Sequence, residues 1–299
     1  MTERETLDAV AFPIGLPRRT RVVGGGRMGS GIAHALLLAG SDVVVVERDE
    51  SAAAALGRAE RAIAESVRRG PMDGLVKATA RLQVATDMEA LAKSDLVIEA
   101  VPEELELKLA TLSALETVLT TDAVIGTNTS SISLDTLGDA MAHPERLVSL
   151  HFFNPVPASK LAEIVIGDRA SPALKDRTVS WVDQMNKTPV MVRNSPGFAS
   201  SRLGVALGIE AIRMVEEGVA SAEDIDAAMA LGYGHPTGPL RLTDLVGIDV
   251  RLGIARYLEQ ELGARFAPPR LMIDMVAEGK LGRKSGQGFY GWSEGPSDA

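Results

Sequence analysis

Two groups of residues in the 299-residue chain have the types and spacing to do chemistry. The first is Gly24-Gly25-Gly26-Arg27-Met28-Gly29, a G-x-G-x-x-G turn. In such a turn Gly24 permits the tight bend, Gly26 lets backbone approach a pyrophosphate, and Gly29 lets a helix pack closely on a strand. The N-terminus of that helix offers unpaired N–H donors to the phosphates. Glu47 lies 18 residues beyond Gly29 (47 − 29), where a carboxylate can hold both ribose hydroxyls. A dinucleotide fits this set. Glu47 would repel a 2′-phosphate and so favours NAD, whereas Arg48 beside it, with Arg27 in the turn, would clamp that phosphate and keeps NADP open. FAD uses a similar turn.

The second group is His151 in LVSLHFFNP and Glu163, twelve residues later. Oxidising a secondary alcohol requires a base for the hydroxyl proton while the hydride leaves for a nicotinamide, and an imidazole titrating near neutrality suits that task. A hydrogen-bonded carboxylate would fix its tautomer and favour the imidazolium. A structural histidine is the plainer alternative. His34, His143 and His235 read as solvated or capping groups.

The surrounding elements must position these groups. Val22–Val23 reads as a short strand, Gly29–Ala39 as a helix closed by Gly40, and Val43–Val46 as a strand buried on both faces. Further strands are expected at Arg81–Ala85, Leu96–Ala100, Ala123–Thr127 and Leu147–Leu150, with helices at Glu104–Leu119 and Leu134–Met141 between them. Leu161–Ile166 and Val190–Val192 read as strands as well. This alternation predicts an α/β fold, an N-terminal Rossmann-like doubly wound sheet, over residues 18–195. Residues 196–299 read as an all-helical C-terminal domain, with helices at Ser200–Glu217, after Ser221, at Leu240–Leu262 and at Arg270–Glu278. Met1–Pro17 reads as a polar tail outside the fold.

Composition removes other classes. The 31 Lys and Arg against 40 Asp and Glu leave a formal charge of −9, so neither nucleic acid nor an anionic membrane is expected as a main partner. With Cys 0, disulfides, thiolate zinc sites and cysteine nucleophiles are impossible. No histidine pair has zinc-ligand spacing and no G-x-S-x-G occurs, so no metal site and no α/β-hydrolase is expected. The start lacks a signal-peptide layout and the apolar runs fall short of the ~18 residues of a membrane span, which reads as a cytoplasmic protein.

Several segments together resemble the 3-hydroxyacyl-CoA dehydrogenase family, most closely its short-chain 3-hydroxybutyryl-CoA dehydrogenases. They are GGGRMGSGIA (24–33), NTSS (128–131), HFFNPVP (151–157), LAEIV (161–165), SPGF (195–198), EDIDAAM (223–229), HPTGP (235–239) and GRKSGQGFY (282–290). The resemblance implies an NAD-dependent enzyme acting on an acyl-CoA, with His151 as catalytic base, Glu163 as its partner and Ser130 bonded to the C3 oxygen near the nicotinamide. It implies that Glu103, Lys108, Asn154 and Lys284 line the cofactor and that helical domains pair into a homodimer. The family usually has an asparagine just after the PGF phenylalanine, near base and substrate; its place falls at Ser201 here. Arg61 and Arg68, with Arg58 and Arg69, lie close to one face of a helix and are candidates for the CoA phosphates. Relatives of this fold oxidise free hydroxy acids or carnitine, and lens lambda-crystallins resemble it without catalysis, so both remain alternatives.

Overall fold

The computed structural model describes residues 15–47, 54, 57, 61 and 80–292. The chain enters its first strand, β1 (Arg19–Val23), and turns through the glycines into α1 (Arg27–Leu38) and β2 (Asp42–Val46). Val43 to Val46 are all buried, as a central strand requires, and each contributes about 1.5–3 kcal/mol by leaving water. The elements β3 (Leu82–Ala85), β4 (Leu96–Glu99), α2 (Leu105–Val118), β5 (Val124–Thr127), α3 (Leu134–Asp139), β6 (Leu147–Phe152), β7 (Leu161–Ile166), α4 (Pro172–Gln184) and β8 (Thr188–Arg193) follow.

They form one eight-stranded sheet in the order β3-β2-β1-β4-β5-β6-β7-β8. The pairs from β3 to β6 are parallel, and the β6–β7 pair is antiparallel. Strand order reverses between β1 and β4, and the crevice outside the carboxyl ends at such a switch point is where doubly wound sheets bind ligands. Val22, Ile32, Leu36, Val45, Ile98, Val148, Phe152 and Trp181 anchor the core beneath that crevice.

The expected polar tail is tied down earlier than residue 18. Trp181 Nε1 donates to Gly15 O at 3.0 Å, the Leu16 N–H donates to Gln184 Oε1 at 3.0 Å, and the Ser41 hydroxyl donates to Pro17 O at 2.8 Å. β1 begins at Arg19 rather than at Val22 because its parallel ladder with β2 already pairs Arg19 with Asp42. His34 is likewise not solvated: α1 is enclosed from Gly29 to Leu37, and His34 is 1% exposed.

The second compact unit comprises Thr129–Thr136 and the residues from Val192 onward. It holds α5 (Ser200–Glu216), α6 (Ala222–Tyr233), α7 (Pro239–Val246), α8 (Ile248–Leu262) and α9 (Arg270–Ala277) around two apolar clusters. Ser221 caps α6 by accepting from the Asp224 N–H at 3.1 Å, and Gly234 closes it at φ 71°. The expected single helix Leu240–Leu262 is broken at Gly247, whose φ of 108° no helix tolerates. Thr129–Thr136 belongs to this unit because Asn194 grips it: Asn194 Oδ1 accepts from the Leu134 N–H at 3.0 Å, and Nδ2 donates to Ser133 Oγ at 3.1 Å and Asp135 Oδ2 at 2.8 Å. Among the described residues no helix is long and apolar enough to cross a membrane.

Candidate active site

The glycine turn is built to be approached. Gly24 has φ 97°, and a Cβ there would lie 2.7 Å from Ala100 O; a Cβ at Gly29 would overlap the Gly24 carbonyl. Gly26 is different: it is exposed, and a Cβ would meet nothing within 4 Å. Its bareness serves space outside the protein. Gly26 is also the N-cap of α1, with no side-chain cap and no acid in the first turn, so the N–H groups of that turn are not capped by a side chain of the helix itself and suit an anion. Met28 packs on the core below. The Gly25 N–H donates to Glu47 Oε2 at 2.7 Å, which holds that carboxylate beside the turn. These groups fit the pyrophosphate and ribose of a dinucleotide.

Next along the carboxyl ends, Val46, Val23, Glu99, Thr127 and Ser149 stand in one register row across β2, β1, β4, β5 and β6. Glu99 is fully buried. It accepts from Lys108 Nζ at 2.9 and 3.1 Å, from the Val101 N–H at 2.8 Å and from the Thr127 hydroxyl at 2.7 Å. Lys108, 1% exposed, also lies 3.2 Å from Glu103 Oε2. Spacing alone makes Lys108 a solvated helix charge; instead it is a buried cation holding one buried and one exposed carboxylate. Glu99 itself escaped the sequence reading, since it stands inside an apolar strand.

His151 lies within β6 rather than past its end, because antiparallel pairing with β7 extends the strand. The register sets it directly opposite Glu163, and Nδ1 is 2.8 Å from Oε2. The two are 5% and 1% exposed, and the imidazole lies 4.4 Å from the Phe153 ring. A carboxylate only accepts, so Nδ1 carries the proton of this bond and Nε2 is the ring atom left to exchange a proton with a substrate. Asn128 Oδ1, at the end of β5, accepts from the Phe152 N–H at 2.9 Å and so fixes the strand end that carries the histidine. Asn154 follows, exposed, before Pro155.

Ser130, Ser201 and Lys284 belong to the second unit. Ser130 is half-buried in the loop where Thr129 Oγ1 accepts from the Ile132 N–H at 3.1 Å. Ser201 is half-buried in the first turn of α5. Lys284 Nζ pairs with Asp249 Oδ2 at 2.6 Å. Arg61 is exposed, whereas Arg48, Arg58, Arg68 and Arg69 lie outside the described residues.

Residues 19–195 match the family described as 3-hydroxyacyl-CoA dehydrogenase, NAD binding domain, and residues 197–292 match its C-terminal domain. The chain belongs to the 3-hydroxyacyl-CoA dehydrogenase family. It is similar to the 3-hydroxybutyryl-CoA dehydrogenase of Mycobacterium tuberculosis, 41% identical over 284 residues that cover 91% of this chain and 98% of the relative. The enzyme of that name from Clostridioides difficile is 36% identical over 277 residues, 91% of this chain and 99% of its own. The crystal structure of (S)-3-hydroxybutyryl-CoA dehydrogenase from Ralstonia eutropha superposes with a TM-score of 0.88 at 35% identity, covering 93% of this chain and 100% of that one.

In this member of the 3-hydroxyacyl-CoA dehydrogenase family, some of the resembling segments hold the helical unit together. Asp226 of EDIDAAM accepts from the Leu240 and Arg241 N–H groups at 2.8 Å each and from the Tyr290 hydroxyl at 2.8 Å. Asp244 accepts from the N–H groups of Phe289 and Tyr290 and from Trp292 Nε1. Asp226 thus ties the start of α7, just after HPTGP, to Tyr290, and Asp244 ties α7 to Phe289, Tyr290 and Trp292.

Proposed function

We propose that the chain interconverts a short (S)-3-hydroxyacyl-CoA, of 3-hydroxybutyryl-CoA size, and its 3-oxoacyl-CoA with NAD. The observation that carries this reading is the buried His151–Glu163 pair near the carboxyl end of β6, in the same sheet whose β1 leads into the dinucleotide turn. Bound NAD supplies the acceptor for the hydride from C3. His151 Nε2 takes the hydroxyl proton as the alcohol becomes a ketone, and returns it in the reverse direction. Glu163 keeps Nδ1–H bonded, so the ring can receive that proton only at Nε2, and it steadies the imidazolium.

Ser130 donates to the C3 oxygen and Ser201 serves at the asparagine position through a shorter side chain, with water completing the contact. Gly24, Gly26, Met28, Gly29 and Glu47 hold the dinucleotide, joined by Glu103, Lys108, Asn154 and Lys284. Glu47 favours NAD over NADP, with Arg48 as the counterweight. Arg61 and Arg68 are assigned to the CoA phosphates. Leu203, Leu242, Val246 and Val250 are exposed on the helical unit, which supports a homodimer through that unit. We read the protein as cytoplasmic.

Loss of reduced-nicotinamide absorbance on mixing enzyme, acetoacetyl-CoA and NADH, with NADPH in parallel, is the test. Turnover with NADH at least tenfold faster than with NADPH is expected. Turnover of free hydroxy acids alone, or tight NADH binding with no turnover of any acyl-CoA, would overturn it.

A further inference from the structure

The return between β6 and β7, residues 153–160, is held by a buried cation. Lys187, just before β8, is 5% exposed, and among the described residues no carboxylate pairs with it. Its ammonium donates instead to two backbone carbonyls of the return, Val156 O at 2.5 Å and Ser159 O at 2.7 Å. The next residue joins the grip: the Thr188 N–H donates to Lys160 O at 2.5 Å. Within the return, the N–H groups of Ala158 and Ser159 both donate to Pro155 O, at 3.0 and 2.9 Å. A neutral donor would close a loop without the cost of burying an ammonium that lacks a counter-charge. What the ammonium adds is the greater strength of charge-assisted bonds.

The held return rests on the dinucleotide helix. Val156 is 1% exposed, and a Cβ at Gly31 of α1 would lie 3.0 Å from both its Cβ and its Cγ2. Only the bareness of Gly31 lets the return sit directly on α1, in the turn that follows the N–H groups offered to a pyrophosphate. His34 is three residues further along the same face of α1. The Lys187 charge reaches it, adding to the burial that lowers its pKa to about 4. The helix suited to phosphate and the return that joins His151 to Glu163 thus share one packed contact, all of it within the first compact unit.

We propose that Lys187 is a positioning residue that seats the return on α1 and so sets the surface that meets the nicotinamide half of the dinucleotide. This rests on the proposed function. Hydride passes between C3 and the ring, and His151 exchanges a proton with the oxygen on that same carbon. The ring half therefore has to reach the β6 end of the sheet, while the adenosine half stays at Gly24–Gly29 and Glu47. Removing the ammonium takes the donor from two carbonyls and lets Val156 lift from Gly31. Only the ring half should feel that change.

The experiment compares NADH with ADP-ribose, which has the same adenosine and pyrophosphate but no nicotinamide. Dissociation constants are measured by calorimetry well below the melting transition of each variant. Lys187→Met keeps the apolar stem and removes the donor. It is expected to weaken NADH by about tenfold or more and ADP-ribose by less than about twofold. Gly31→Ala, which crowds Val156 while leaving the ammonium in place, is expected to weaken NADH selectively as well, and carries the test should Lys187→Met fail to fold. Equal weakening of the two ligands would show a general loosening of the fold, and unchanged affinities would show a return that needs no holding. Either result overturns the proposal. Wild-type turnover of acetoacetyl-CoA reports separately on the dehydrogenase reading, and a wild type that binds neither ligand would sink the dinucleotide reading first.

Discussion

His151 and Glu163 are direct cross-strand partners, joined by a 2.8 Å bond from Nδ1 to Oε2 with both side chains buried. The antiparallel return from β6 to β7 makes this pairing a property of the sheet register, not of a flexible loop. Changing Glu163 to Gln keeps the shape but lets an amide N–H confront Nδ1, which favours the wrong tautomer. A fall in kcat of about 10³–10⁴ is expected, with NADH affinity within threefold of wild type by fluorescence titration. Retention of more than a tenth of kcat would remove Glu163 from its role.

Gly26 and Gly29 should respond oppositely to added side chains. A Cβ at Gly26 meets open space, so Gly26→Val should fold with an unchanged Tm and bind NADH at least tenfold more weakly. Gly29→Ala drives a methyl into the Gly24 carbonyl and should lower Tm itself. Equal thermal loss in both variants would show that the bare face of Gly26 is not reserved for a ligand.

Lys108 neutralises Glu99 inside the protein, and the two side chains are 1% and 0% exposed. Lys108→Met strands a buried carboxylate and should cost about 3–5 kcal/mol in urea unfolding. Adding Glu99→Gln to that variant should recover part of the loss, because no charge then remains unpaired. If the double variant is less stable than the single one by the full cost of a second independent change, the coupling is absent.

His34 gives the fold a pH dependence. Burial, reinforced by the charge of Lys187, lowers it from 6.5 to about 4. Between those values the unfolded chain binds more protons than the folded one, so the stability is whole above about pH 6.5 and drains away as pH falls toward 4. At 1.36 kcal/mol per unit the effect is about 3 kcal/mol. His34→Gln should flatten the urea midpoint between pH 4 and 6.5. An identical slope in the variant would assign the acid lability elsewhere.

What the sequence made legible was local or tied to one strand return. Gly24 to Gly29 and Glu47 span a single strand–helix–strand unit, so spacing alone locates them, and His151 with Glu163 spans one antiparallel turn. Glu99 was hidden because a lone acid in LVIEA looks like the end of an apolar strand; only the row formed with Thr127, and the return of α2 bringing Lys108, shows its purpose. Lys187 was equally silent, since the Val156 carbonyl it holds lies 31 residues earlier in the chain. Ser130 was read with the sheet, but Asn194, sixty residues away, draws its loop to the helical unit.

The base assignment at His151 stands or falls on one comparison: steady-state reduction of acetoacetyl-CoA by NADH in wild type and His151→Gln, with NADH affinity measured on the same samples. A loss of kcat of about 10²–10⁴ with cofactor affinity preserved is the expected result. Turnover within a few-fold of wild type would contradict it.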